Sequence, residues 1–309
     1  MEARLDKRRV LIFILFAFGI AWAVALVVAL TGGFENSPPL APGSSITVAI
    51  VLVASIYMWA PALANILTRV ITGEGFVNTW LRPKFRKGWP YWLLAWFLPV
   101  ILTVLGGALF FLLFPDTFDR NMDAITLSMP AGLNMNKWAF FGLMTLQAVI
   151  ISPLVNSIAT FGEEFGWRGY LLQKLLPLGK RRALLLLGVI WGAWHWPLTA
   201  QGHNYGLEYA GFPWLGMLMM VWFTTGLGII FSWMTLRGRS VWPAVIGHAA
   251  VNGIGGLALL LARGQPNMLL GPSPVGIIGG IFFTLFAAWI LLSPKALPEQ
   301  LSDRADEEI

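Results

Sequence analysis

Eight stretches of this chain, at about 10–30, 46–70, 90–114, 138–160, 183–199, 212–236, 241–262 and 274–293, are continuously apolar. Their length constrains the fold more than any other feature, because roughly 20 helical residues cross a hydrocarbon layer about 30 Å thick. A backbone in lipid finds no water, so each run must pair its own N–H and C=O groups, as a helix does. The runs do not alternate in polarity as the strands of a membrane barrel do. The expected fold is therefore all-α: a polytopic membrane helix bundle with about eight transmembrane helices, in which residues 1–309 form a single membrane domain. A composition that is 57% hydrophobic and 12% charged leaves no material for a second, soluble unit.

Charge gives the bundle an expected orientation. When loops are assigned alternately to two sides, eighteen of the 21 Lys and Arg residues fall on one side, and Arg120, Lys137 and Arg263 are left on the other. The basic side includes Arg4, Lys7 to Arg9, Arg82 to Lys87, Lys174, Lys180 to Arg182, Arg237, Arg239 and Arg304. Basic loops remain cytoplasmic, so both termini are expected in the cytoplasm, and residues 294–309 read as a short solvated cytoplasmic tail. The loops at 31–44 and 115–136 then face outward. The net charge of +6 is explained by topology, and nucleic acid is not an expected partner. The first apolar run lacks a small-residue cleavage site and is read as a retained span. An integral, multi-pass location, in the cell membrane, is expected. With no cysteine in the chain, disulfides, thiolate metal sites and a cysteine nucleophile are excluded.

Function must then come from polar groups inside the spans, where a charged side chain costs at least about 2.5–3.5 kcal/mol and usually faces protein or a wet cavity. Few candidates exist: Glu163, Glu164 and Arg168 in "FGEEFGWRGY", His195 in "WGAWHWP", and His248 with Asn252 in "IGHAAVNG". Counted at about 1.5 Å per residue from the nearest basic residue, Glu163 lies about 16 Å from Lys174, His195 about 19 Å from Arg182, and His248 about 13 Å and Asn252 about 20 Å from Arg239. They share a depth, provided that the fourth helix persists past Gly166 and Gly169 to about Lys174. Asn65, Gln147, Asn156 and Thr224 are read as helix-to-helix hydrogen-bonding groups. His203 is expected in an outer loop with a surface role, and the many Trp and Phe residues mostly at lipid and interface.

Helical spacing divides the labour. Glu164 and Arg168 are i and i+4 with the acid first, the favourable order for an ion pair, while Glu163 points about 100° away. His248 and Asn252 are also i and i+4 and share a face. A carboxylate and an imidazole around a water make a general base, and a histidine with an asparagine amide supplies donors for a developing oxyanion. Together these parts suit hydrolysis of an amide or peptide bond. Each also has a plainer explanation: a buried ion pair for Glu164 and Arg168, an interface aromatic and a core histidine for Trp191 and His195, and a helix-bridging pair for His248 and Asn252.

At these residues the sequence resembles the CPBP family of intramembrane endopeptidases, the CAAX protease and bacteriocin-processing (Abi) group. Its first motif, a Glu-Glu pair ahead of Arg, is matched by Glu163, Glu164 and Arg168. An aromatic ahead of His is matched by Trp191 and His195, with Trp where Phe is usual, and His ahead of Asn by His248 and Asn252. The motifs cover roughly 160–255, a catalytic core within the single domain, and "MWAPALANILTRV" in the second span is also similar to the family. The resemblance implies a cavity open toward the cytoplasm and a peptide or protein substrate near the cytoplasmic leaflet, with lipid around the bundle. It implies that Glu163 and His195 activate water, that His248 and Asn252 stabilise the oxyanion, and that Glu164, Arg168 and Trp191 support the site. No cofactor is expected; the alternative is zinc on Glu163, His195 and His248, but no HExxH spacing places two ligands on one helical turn. Two other functions use the same residues: a non-catalytic peptide-binding, immunity or scaffold protein, and a proton-coupled transporter, against which the lack of a repeated half-bundle argues.

Overall fold

The computed structural model describes residues 5–44, 46–130 and 132–298. Arg4, Arg304 and positions 299–309 of the expected tail lie outside the described residues. Among the described residues the chain is helical without strands; pairing is limited to isolated bridges at Pro39 with Thr47 and Phe118 with Ala262.

The first helix, α1 (Lys7–Leu30), starts where the Asp6 side chain accepts the Arg9 N–H at 3.1 Å, satisfying one of the open donors of the first turn. The second span is assembled from α2 (Val48–Leu52), a π-helical turn (Val53–Tyr57) and α3 (Ala60–Thr72), and it stops at Gly73, which takes φ 63°. Helix α4 (Phe85–Leu113) carries two prolines, and a short α5 (Asp123–Ser128) follows on a loop. Helices α6 (Lys137–Ile150) and α7 (Ser152–Gly166) meet at a 42° bend. Pro153, at the start of α7, has no N–H to continue the ladder across that bend.

The chain then runs on through a π-helical turn (Trp167–Leu171), α8 (Leu172–Leu175) and a 3₁₀ turn to Leu178. The helix therefore does pass Gly166 and reaches Lys174. Gly166 is needed for a different reason, since a Cβ there would overlap the backbone of Pro61 on α3. Its missing side chain lets α7 and α3 approach closely.

Next come α9 (Lys180–Trp194), α10 (Trp196–Thr199), α11 (Trp214–Gly238), α12 (Trp242–Ile254) and α13 (Ile281–Leu292). Five helical segments are long and apolar enough to cross a membrane, and the bent pair 137–150 and 152–178 makes a sixth. The other two expected spans are shorter: α9 has 15 residues and α13 has 12. At 1.5 Å per residue these reach about 22 and 18 Å, less than a hydrocarbon layer. The reason is local, because "GPSPVGIIGG" at 271–280 folds as turns instead of extending α13.

Helix α12 packs against both α7 and α4, α9 packs along α11, and α3 lies between α1 and α7. The loops gather on two faces. On the basic face Glu74 meets Lys174 and Arg9, and the Val241 N–H donates to Trp80 O at 3.0 Å. On the opposite face the Arg263 N–H donates to Thr117 O at 2.7 Å, and Lys137 Nζ donates to Asn121 O at 2.7 Å. Residues 294–298, expected to be solvated, are docked. Trp233 Nε1 and Arg237 Nε donate to Ala296 O at 3.0 and 2.7 Å, and Ala296 and Leu297 are buried. Two apolar side chains and a run of carbonyls facing donors hold the segment down.

Candidate active site

The two adjacent acids divide as helical geometry demands. Arg168 Nη1 donates to Glu164 Oε1 at 2.9 Å and lies 2.8 Å from Oε2 in a buried ion pair, with both side chains fully buried. The guanidinium lies 4.5 Å from the Trp191 ring and 5.5 Å from Phe231, a π-rich bed suited to a weakly hydrated cation. Glu164 also takes a partner that sequence spacing did not reveal: His248 Nδ1 lies 3.0 Å from its Oε1. That bond crosses from α7 to α12 over 84 positions, so no local pattern carries it.

Glu163 turns elsewhere. It is 1% exposed, borders the cavity, and accepts the Trp191 Nε1–H at 2.7 Å. Trp191 thus does more than fill space: phenylalanine has no donor to offer a carboxylate. His195, at the end of α9, has Nδ1 2.8 Å from Trp191 O. A carbonyl only accepts, so Nδ1 carries the proton and Nε2 is left as the acceptor. The ring is held edge-on by Trp194, with centroids 4.8 Å apart. His248 stands 5.3 Å from Trp191 and stacks on Phe231 at 5.9 Å. One turn further along α12, Asn252 is exposed within the same cavity.

The structure therefore brings Glu163, His195, His248 and Asn252 around one cavity of about 560 Å³, with Glu164 and Arg168 behind it. Its walls are mostly apolar and include Met220, Phe223, Leu227, Val251 and Leu259. Three contributors escaped sequence reasoning. Tyr57 lines the cavity and donates to Trp194 O at 2.6 Å; its signal was to be one of five tyrosines, placed inside an apolar span. Trp194 and His203 also line it. His203 is partly buried and stacked on Phe34 at 5.4 Å, a rim position in place of the expected free surface one. Tryptophan is likewise used in the interior, since Trp167, Trp191 and Trp194 are among the largest fully buried side chains. As expected, Asn65 and Thr224 join helices, donating to Phe165 O at 2.9 Å and to Gly188 O at 3.1 Å.

Among the described residues no group of three or more His, Cys, Asp or Glu side chains is gathered closely enough to hold an ion.

Below the site, on the basic face, Glu74 ties the end of α8 to α1 and α3. It meets Lys174, the Arg9 Nε at 3.4 Å and the Arg69 Nη1 at 3.8 Å, and accepts the Tyr170 hydroxyl at 3.1 Å. Partial burial by itself raises its carboxyl, but the Lys174 hydrogen bond and charge, with Arg69 and Tyr170, outweigh that and hold it below the usual glutamate range. On the opposite face Asp119 is held low chiefly by the Asp123 N–H, which it accepts at 2.7 Å.

Residues 140–254 match the family described as type II CAAX prenyl endopeptidase, Rce1-like. That range contains all of the motif residues; it begins about 20 residues ahead of the 160–255 core expected from them and ends at nearly the same place. Over 183 residues, 58% of this chain, the sequence is 30% identical to CAAX prenyl protease 2 of Methanococcus maripaludis. The aligned part covers 63% of that archaeal protein, somewhat less than two thirds of its length.

Proposed function

We propose that this chain, whose residues 140–254 match the Rce1-like family of type II CAAX prenyl endopeptidases, is an intramembrane endopeptidase that hydrolyses a peptide bond without a metal. The observation that carries the reading is the arrangement of four groups around one cavity, with each histidine's Nδ1 engaged behind it, on Trp191 O or Glu164. Each imidazole then has Nε2 as the nitrogen left for the cavity. Such backing partners fix tautomer and orientation before any substrate arrives.

The water sits between Glu163 and His195. Glu163 takes its proton, His195 Nε2 accepts its second hydrogen bond, and the oxygen attacks the carbonyl carbon. The carbonyl oxygen becomes an oxyanion and receives hydrogen bonds from the Asn252 amide and from a protonated His248, whose Nδ1 Glu164 holds. Glu163 returns the proton to the leaving nitrogen as the C–N bond breaks, giving a carboxylic acid and an amine. For the archaeal relative the name states a prenylated CAAX substrate; for this chain we propose peptide-bond hydrolysis at the cell membrane. Replacing Glu163 by Gln keeps size and hydrogen bonding but removes the base. A loss of about 10²- to 10⁴-fold in cleavage of peptide substrates by purified protein is expected. Wild-type activity in Glu163→Gln would overturn the assignment.

A further inference from the structure

We infer that Tyr57 and Trp22 are positioning residues for His195, acting through the carbonyl of Trp194 that both of them hold. The inference rests on the peptidase reading for what His195 does in the cavity, but not for what fixes its ring.

His195 sits where the hydrogen-bond ladder of α9 breaks. A continuing helix would pair the His195 N–H with Trp191 O and the Leu198 N–H with Trp194 O. Here the His195 N–H donates to Gly192 O at 3.1 Å and the Leu198 N–H to His195 O at 3.0 Å. Pro197, in the same turn, has no N–H with which to restore the ladder. Two carbonyls thereby lose their helical donors, and a buried carbonyl left unpaired is costly. His195 meets one of them itself, with Nδ1 2.8 Å from Trp191 O. The other, Trp194 O, is met from outside the turn: it accepts the Tyr57 hydroxyl at 2.6 Å and the Trp22 Nε1–H at 3.2 Å.

The carbonyl of Trp194 and the N–H of His195 belong to one planar peptide unit. Holding that oxygen fixes the plane from which the His195 Cα projects, and the Nδ1 bond then sets the rotation of the ring. Both are needed to aim Nε2, because a catalytic group displaced by about 1 Å can cost 10²-fold in rate.

The clamp is itself anchored. Tyr57 is 1% exposed and ends the π-helical turn Val53–Tyr57, in which the Met58 N–H reaches back to Val53 O at 3.0 Å. Such wide turns recur at functional sites. The Tyr57 ring lies 4.2 Å from the Trp194 ring, and the Trp194 indole donates to Ala17 O at 3.1 Å, on the helix that carries Trp22. Trp194 is therefore gripped by its carbonyl and by its ring. Helix α1 and the second span supply none of the four groups assigned to the chemistry and lie outside the residues that match the family. Through Trp194 they nevertheless reach the peptide that carries His195.

Tyr57→Phe, Trp22→Phe and the double variant, made in the full chain, keep each site aromatic and remove the donors. Steady-state cleavage of a fluorogenic peptide gives kcat and KM. The ¹⁵N signals of the three histidines, with those of His195 identified by their loss in His195→Gln, report its ring without any substrate. A neutral hydrogen bond is expected to be worth about 2- to 13-fold in kcat for Tyr57→Phe, with a larger loss in the double variant and KM nearly unchanged. The His195 signals are expected to shift in step, while those of His203 stay in place. Trp22 is 41% exposed, so Trp22→Phe tests the clamp even where the buried Tyr57 does not tolerate change. Wild-type His195 signals, or a wild-type kcat, in every folded variant overturn the inference and leave the peptidase reading intact. Shifted His195 signals, in a parent chain that cleaves no peptide, support the clamp and remove the peptidase reading instead.

Discussion

Replacing Glu164 by Leu tests the buried triad most directly, because the structure assigns this residue two separable tasks. It neutralises Arg168, which is fully buried, donates to its Oε1 at 2.9 Å and lies 2.8 Å from its Oε2, and it receives His248 Nδ1 at 3.0 Å. Removing one partner of a buried ion pair leaves an uncompensated charge, a loss of about 3–5 kcal/mol, whereas replacing both by apolar groups of similar volume is often neutral. Glu164→Leu is therefore expected to lower unfolding stability in detergent by about 3–5 kcal/mol. Glu164→Leu/Arg168→Met should recover most of it. Activity should not follow, because the paired variant still leaves His248 without its orienting acceptor. A hydrogen bond to a charged group contributes about 1.5–3 kcal/mol, so the double variant is expected to lose about 10- to 150-fold in kcat/KM although it is folded. The measurements are denaturant unfolding and cleavage of a fluorogenic peptide on the same preparations. Recovery of both stability and activity in the double variant would refute the orienting task and reduce Glu164 to a packing ion pair.

Three further outcomes follow from the geometry. Trp191→Phe keeps an aromatic ring but removes the N–H that Glu163 accepts at 2.7 Å, and kcat/KM is expected to fall by about 10- to 150-fold; full activity would mean that the carboxylate is oriented by something else. Since Glu74 is held below its ordinary value near 4.5, its contribution to stability is present above that pH and is lost as pH falls through the lower folded value. Melting curves of wild type and Glu74→Gln should therefore differ at neutral pH and converge in acid. Finally, prolonged chelation with EDTA should leave peptide cleavage unchanged, and a loss restored by zinc would contradict the metal-free chemistry proposed.

The sequence by itself determined the solvent of this fold and the inventory of its chemistry. Apolar runs at 10–30 or 212–236 allow little but a membrane helix, since lipid leaves the backbone no other way to pair. Glu163, Glu164, Arg168, His195, His248 and Asn252 stood out because charge and imidazole are costly at that depth. Spacing within one helix was legible as well, which is why the Glu164–Arg168 pair was foreseen. What sequence could not decide are relations between helices. The bond from His248 to Glu164 and the one from Trp191 to Glu163 join elements 84 and 28 positions apart, and no periodicity encodes such contacts. The lengths of α9 and α13 depended on turns that hydropathy does not register, and the docking of 294–298 on donors supplied from elsewhere in the fold. Above all, apolar residues that fill the core and apolar residues that line the cavity read alike in a sequence. Only their packing in three dimensions separates the two.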